Sequence, residues 1–289
     1  MKTVTTLSVT TLSITLLLFS SLISAAPACT LTMTYKDVGK PGYMAPSPDN
    51  TGLYQALYLE AAQRIGCSLI IKRFPKKRSL RQLQAGKIDI YPSTGFEESR
   101  SLYLHYIPNG LFRNETYYGL SPLNTVELES IDDIKDTELT WIIEAGRTTV
   151  NSAKEKNIPY QALVGLTHTK AIKMIVWKRK VFYQIDTEDY NRYLKEQGTS
   201  DLTHLNIKTH KYCCDAKSQK LYAGISRFSP IYQEEQNPDY DPLMPLSPEN
   251  FPTRLVPGSI GHQLSQALED IYTSGRLNQL LNEYNIDLN

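Results

Sequence analysis

The sequence predicts an α/β protein of two lobes, and three observations carry that prediction. Strand-like stretches alternate with helix-like stretches from residue 29 onward, a pattern that favours parallel sheets with right-handed crossovers. The alternation falls into two tandem blocks of about 100 residues, a usual domain size. The chain then closes on "ALEDIYTSGRLNQLLNEYNI", two short amphipathic helices around a corner at Gly275. The apolar residues Leu277, Leu280, Leu281 and Tyr284 recur there at helical spacing and need a surface to bury against.

The elements follow in order. "MKTVTTLSVTTLSITLLLFSSLISAAPAC" has an early Lys2, an apolar stretch over 12–23, then Ser24-Ala25-Ala26. That is the pattern of a secretory signal peptide over residues 1–26. The stretch is too short and too rich in Ser and Thr for a membrane anchor. Cleavage and export predict a periplasmic protein in oxidising surroundings. "LTMTYKD" alternates as a strand, and "GKPGYMAPSPDNTG" is a loop. "LYQALYLEAAQRIG" places Leu53, Ala56, Leu57, Ala61 and Ile65 on one helical face, with Gly66 at the C-terminal cap. "CSLIIKRF" is the next strand, Ser79 caps a short helix through "LRQLQAGK", and "IDIYPST" is a third strand. The region near "LFRNETYYGLSP" separates the blocks. In the second block "SIDDIKD" is a short helix, "LTWIIEAG" a buried strand, and "TTVNSAKEKN" a helix with Thr cap candidates. "ALVGLT" reads as a strand, "HTKAIKMIVWKR" as a helix, "KVFYQID" as a strand, and "TEDYNRYLKEQG" as a helix closed by Gly198. "LYAGISRFSP" is a further strand, and a proline-rich loop over 238–257 leads to the terminal helices.

Charge is balanced, with 31 Lys+Arg against 30 Asp+Glu, which argues against a nucleic-acid partner. The cysteines are Cys29, Cys67, Cys213 and Cys214, and four permit three pairings. Cys29 and Cys67 each open a strand-like stretch whose starts would be adjacent in a parallel sheet, so a Cys29–Cys67 disulfide is expected. Cys213 and Cys214 either form a vicinal disulfide or stay as thiols. Together with His204 and His210 they match no strong zinc spacing, so no metal and no cofactor is expected.

Four stretches taken together carry a resemblance: "GLYQALYLEAAQRIGCSLIIKRFP", "LRQLQAGKIDIYPSTGFEESRS", "SIDDIKDTELTWIIEAGRTT" and the terminal "ALEDIYTSGRLNQLLNEYNI". In order and spacing they resemble the bacterial extracellular solute-binding proteins of the type 2 periplasmic fold, in the branch serving polar amino acids. The resemblance covers nearly all of the chain beyond the leader. It implies a two-lobed α/β fold with two hinge crossings and terminal helices packed back on the first lobe. Lobe 1 would comprise residues 29–115 and 223–289, and lobe 2 residues 116–222.

Ligands of open α/β sheets sit beyond the carboxyl ends of strands. In the first lobe that rule points to Tyr35, Asp37, Tyr43, Ser93, Thr94 and Arg100. The resemblance implies that Arg100 grips a ligand carboxylate, for which a guanidinium fork is suited. From the residues alone Arg100 also reads as a surface partner of Glu97 or Glu98, and Asp37 as a solvated loop carboxylate. In the second lobe "EAGRTT" is similar to the family's Gly-Ser-Thr-like turn. This implies a ligand contact at Thr148, with Arg147 as a second positive group; Thr148 or Thr149 reads equally as a helix cap. The resemblance assigns Asp186 to a ligand ammonium, while its place before "TEDYNRYL" reads as an exposed cap. The sequence departs from the family near Arg100, with Gly95 at a usual hydroxyl position and Glu97 at an expected threonine. Among 19 tyrosines, Tyr35, Tyr43 and Tyr91 are placed to stack on a ligand.

These readings predict a monomeric periplasmic protein that closes on a small polar solute, an amino acid or related carboxylate. It would serve ABC-type uptake through a membrane permease, or report to a membrane sensor, and would not be an enzyme. Two alternatives remain. One is a cyclohexadienyl-dehydratase-like lyase, with Glu97, Glu98 or His105 as general acid or base. The other is a protein-binding module without a small ligand, which Gly95 keeps open.

Overall fold

The computed structural model describes residues 29–107, 114–178, 180–214 and 219–286; the leader expected over 1–26 lies outside them. The first run of elements is β1 (Cys29–Lys36), α1 (Leu53–Arg64), β2 (Cys67–Phe74), α2 (Lys76–Gln84), β3 (Ile90–Gly95), α3 (Glu98–Ser101), β4 (Leu104–Ile107) and β5 (Asn114–Glu115). The second is β6 (Tyr117–Pro122), β7 (Thr140–Glu144), α4 (Thr149–Glu155), β8 (Tyr160–Leu163), α5 (His168–Lys178), β9 (Val181–Asp186), α6 (Thr187–Gln197) and β10 (Ile207–His210). The chain ends with β11 (Gln219–Ser226), β12 (Glu234–Gln236), β13 (Thr253–Leu255), α7 (Ile260–Thr273) and α8 (Arg276–Glu283).

Two sheets result. The first has the order β2-β1-β3-β11-β4 and the second β10-β6-β9-β7-β8. In the first sheet β1 is parallel to both β2 and β3, as the β-α-β-α-β alternation predicts, and β11 joins antiparallel between β3 and β4. The chain leaves this sheet between β5 and β6 and returns between β10 and β11. These are the two crossings of a two-lobed fold, and β5 pairs antiparallel with the start of β11. Cys29 and Cys67 face each other in the β1–β2 register and form a disulfide, as expected. Cys213 and Cys214 form a vicinal disulfide just beyond β10. His210 has Nε2 against Ser121 Oγ at 2.7 Å and Nδ1 accepting from the Leu128 amide at 3.1 Å.

The terminal helices bury against the first lobe. Leu264, Ala267, Leu268 and Ile271 of α7, and Leu277, Leu280 and Leu281 of α8, share one core with Leu31, Met33, Leu57 and Tyr58. Each fully buried leucine contributes about 2 kcal/mol of apolar transfer. Gly275 holds φ at 78°, a left-handed turn that only glycine adopts without strain, and so swings α8 onto α1. Arg276 Nε then pairs with Glu60 of α1 at 3.0 Å. The second lobe is two-faced, as a central strand requires: Ile142 packs with Ile172, Ile175 and Ile185, while Trp141 and Ile143 pack with Phe182 and Ile158 on the other side.

Several local expectations shift. Ser79 does not cap its helix: α2 starts at Lys76, and Ser79 lies inside it with Oγ bonded to Thr34 Oγ1 at 3.1 Å and Phe74 O at 3.3 Å. The strand expected at "ALVGLT" is set earlier, at Tyr160–Leu163. All of "YYGLSP", the end of the stretch expected as separator, is β6, an interior strand. The helix α1 buries Tyr54 and Tyr58 beside the expected Leu53, Leu57 and Ala61.

Candidate functional site

The carboxyl ends of β1, β3, β7 and β9 converge on one gap between the two sheets. Residues from both sides enclose a cavity of about 80 Å³. Of the residues singled out in the sequence, Tyr35, Tyr91, Ser93, Thr94, Arg100, Arg147, Thr148 and Asp186 line it. Asp37 and Tyr43 stand outside the lining. Asp37 accepts a bond from its neighbour's amide, Val38 N, at 3.0 Å. Tyr43 is buried against Tyr54, and its hydroxyl reaches Glu188 across the gap at 3.3 Å.

Arg100 is buried, not a surface residue. It sits on the short α3 that follows the β3 turn. Its Nη1 donates to Thr94 Oγ1 at 2.8 Å, and its Nε faces Glu97 Oε2 at 3.2 Å. Its Nη2 crosses the gap and donates to the carbonyl of Gly146 in the β7–α4 turn at 2.8 Å. Glu97 also crosses, accepting from Asn151 of α4. So the pairing with Glu97 exists, but it orients a guanidinium that points into the cleft. A Cβ on Gly146, whose φ is 98°, would lie 3.1–3.3 Å from Lys76 and Lys77, so glycine there lets the turn approach α2.

The second-lobe side is more charged. Thr148 stands at the cap position of α4 but its side chain makes no cap bond. Arg147 lies over the Tyr117 ring at 5.4 Å. Asp186 does cap α6, accepting from Glu188 N at 2.9 Å and Asp189 N at 3.3 Å. It is buried, however, and its other oxygen faces Lys40 of the first lobe at 3.7 Å. His168 bridges Asp189 Oδ2 at 2.9 Å and the Tyr183 hydroxyl at 2.8 Å. Burial pushes the Asp189 carboxyl up, but His168, Lys40 and Arg192 together hold it well below the usual range.

Sequence reasoning missed Lys36, Lys40, Lys76, Glu144 and His168, all in the lining. Lys36 and Glu144 end β1 and β7, so the strand-end rule applied strictly would have found them. Lys36 Nζ lies 3.9 Å from Glu144 Oε2, another contact across the gap. Lys76 opens α2, and burial lowers its ammonium to about 7, Glu144 opposing the shift and Arg147, Arg100 and Lys36 adding to it. His168 had no local signal, because only folding sets α5 beside Asp189. The acid–base candidates of the lyase alternative lie off the lining: Glu97 serves Arg100, Glu98 is exposed, and His105 is buried on β4 beside Tyr232.

No protein-family model and no curated protein matches the chain. Solved structures do. One is a protein described in glutathione import and the cystine ABC importer of Streptococcus mutans, 13% identical, with 88% of this chain and 94% of that one covered at a TM-score of 0.62. A second is a histidine kinase sensor domain with similarity to periplasmic binding proteins, 10% identical over 88% and 95% of the chains at 0.60. A third is an ancestral amino-acid-binding protein, a precursor of cyclohexadienyl dehydratase, 14% identical over 88% and 95% at 0.58. At these identities the likeness is one of fold, and the fold is that of a two-lobed periplasmic binding protein.

Proposed function

We propose that the protein is an exported solute-binding protein that closes its two lobes on a small polar solute bearing a carboxylate. The leader read over 1–26 would carry it to the periplasm, where it would act as a monomer for a membrane permease or a membrane sensor. The observation behind this reading is the buried Arg100 guanidinium, oriented by Thr94 and Glu97 and extended to Gly146 O in the opposite lobe. A carboxylate entering the cleft can replace that carbonyl and accept two parallel bonds from the same fork. Ser93, Thr148 and Arg147 offer further groups from both lobes, and Tyr35 and Tyr91 an aromatic wall. A ligand held by both lobes stabilises the closed form by its differential affinity for that form.

A thermal-shift screen of amino acids and small organic acids tests the reading, since a ligand that binds only the folded form raises the melting temperature. Arg100→Ala should lower the affinity of any hit by about 100-fold or more, a cost typical of losing a charged bidentate contact. An unchanged affinity would overturn the assignment of Arg100. Binding proteins and the precursor of a lyase share this fold, so turnover of prephenate or arogenate is the matching assay for an enzyme. Binding without turnover is the expected result.

A further inference from the structure

We propose that the outer face of α5 docks on an anionic membrane surface, with Trp177 entering the headgroup layer and Lys173 and Lys178 meeting lipid phosphates. This face lies outside the cleft, so the proposal holds whatever solute the cleft takes. On its inner side α5 buries Ala171, Ile172 and Ile175 in the core of the second lobe. On its outer side Trp177 is left 77% exposed. Among the described residues the Trp177 indole has no hydrogen bond and no ring partner. The apolar surface continues beside it: Val176 is 38% exposed and lines a groove with Leu123, Ile175 and Leu205.

Charge selects the partner. The stretch "HTKAIKMIVWKRK" over 168–180 holds Lys170, Lys173, Lys178, Arg179 and Lys180, and neither Asp nor Glu. Lys180 pairs with Glu138 at 2.6 Å, and Lys170 Nζ turns back to Gly165 O at 3.3 Å. Lys173 and Lys178 are both exposed and have no carboxylate partner among the described residues. The face is apolar and cationic together, so its complement is apolar and anionic together, as acidic headgroups over acyl chains are. Tryptophan settles at the boundary between headgroups and chains. Each lysine near an anionic leaflet adds an attraction that salt screens. No second side chain holds Lys173 or Lys178 in place, so these cations can follow mobile headgroups but are not preorganised for the fixed acids of a protein.

The test mixes the exported chain, freed of the leader expected over 1–26, with vesicles of two kinds. One is pure phosphatidylcholine, the other equal parts phosphatidylcholine and phosphatidylglycerol. The chain has two tryptophans, and Trp141 is 2% exposed, so a change in emission on adding vesicles reports Trp177. The expected result is a blue shift and co-sedimentation with the anionic vesicles, at a partitioning at least about tenfold above phosphatidylcholine alone. Salt at about 1 M, where the Debye length is about 3 Å, should remove most of that preference. Trp177→Ala should lower partitioning about fivefold or more, and Lys173→Glu with Lys178→Glu about tenfold or more. Circular-dichroism melts confirm that each variant folds. Equal binding to both vesicles, no emission shift, or variant partitioning within twofold of the parent overturns the proposal. Binding only to bacterial inner-membrane vesicles, lost when trypsin shaves their proteins, would assign the face to a protein partner. A dimer abolished by Trp177→Ala would assign it to a second copy, and either result overturns the lipid. None of these outcomes bears on Arg100, so the solute-binding reading stands or falls separately.

Discussion

The two ends of the cleft differ in what their charges are doing. Around Asp186 each group has a protein partner: Lys40 across the gap, two α6 amides, and the neighbouring set of Asp189, His168 and Arg192. Around Arg100 the guanidinium spends one arm on a main-chain carbonyl of the opposite lobe. The first arrangement closes the lobes by protein contacts alone. The second holds them with the Arg100–Gly146 bond, which the proposed solute would replace. Substitutions at the first end should therefore act on stability, and those at the second on affinity.

The largest test of that division is Asp186→Ala. It removes two cap bonds and leaves Lys40 without this buried partner, so urea denaturation should show a loss of about 3 kcal/mol. Ligand affinity should stay within a few-fold, and a hundredfold loss would mean that Asp186 binds the solute directly. Arg100→Ala should show the reverse weighting: the affinity loss already given, with about 1–2 kcal/mol of stability from an unpaired Glu97. His105 supplies a control outside the cleft. Burial, with Arg227 nearby, lowers its ring to about 4 from 6.5. The unfolded chain thus binds the extra proton between pH 6.5 and 4, so stability falls as pH drops through that window. The slope should be at most about 1.4 kcal/mol per pH unit, and His105→Gln should flatten it without touching affinity. Smallest is Arg192→Ala: this half-buried arginine bonds Pro41 O across the gap at 3.1 Å and pairs with Asp189, which keeps His168 as a partner when Arg192 is lost. Its loss should cost under about 1 kcal/mol by the same denaturation measurement. A larger loss would make the Asp186 end depend on its rim rather than its buried pair.

Much of the fold could be read along the chain because the signals are local. Gly66, Gly198 and Gly275 all hold positive φ where helix ends were expected. The apolar spacing of α7 and α8 foretold that they bury, and the facing starts of β1 and β2 foretold their disulfide. The errors also have local causes. Ser79 looks like a cap, yet Pro75 already starts the helix one turn earlier. Strand β6 was hidden because Tyr117 and Tyr118 follow a polar stretch that reads as a connection.

The cleft was less legible. Arg100 was found through resemblance, while its surroundings read from residues alone suggested a surface pair. Lys76 gave no reason for notice: a lysine at a helix start is ordinary until Gly146 of a distant turn is placed against it.

What the sequence determined by itself was the periodicity: which stretches alternate as strands, which face of each helix is apolar, and hence that two α/β blocks form and the tail has an apolar face to bury; that it packs on the first lobe was implied by the family resemblance. Those are properties of neighbours a few residues apart, set by backbone geometry and hydrophobic burial. Tertiary structure alone decided which charges meet. Lys36 with Glu144, Lys40 with Asp186 and Arg100 with Gly146 are all brought together only across the gap between the two sheets. Coulomb forces depend on distance in space and on exclusion of water, and neither is written in the order of residues.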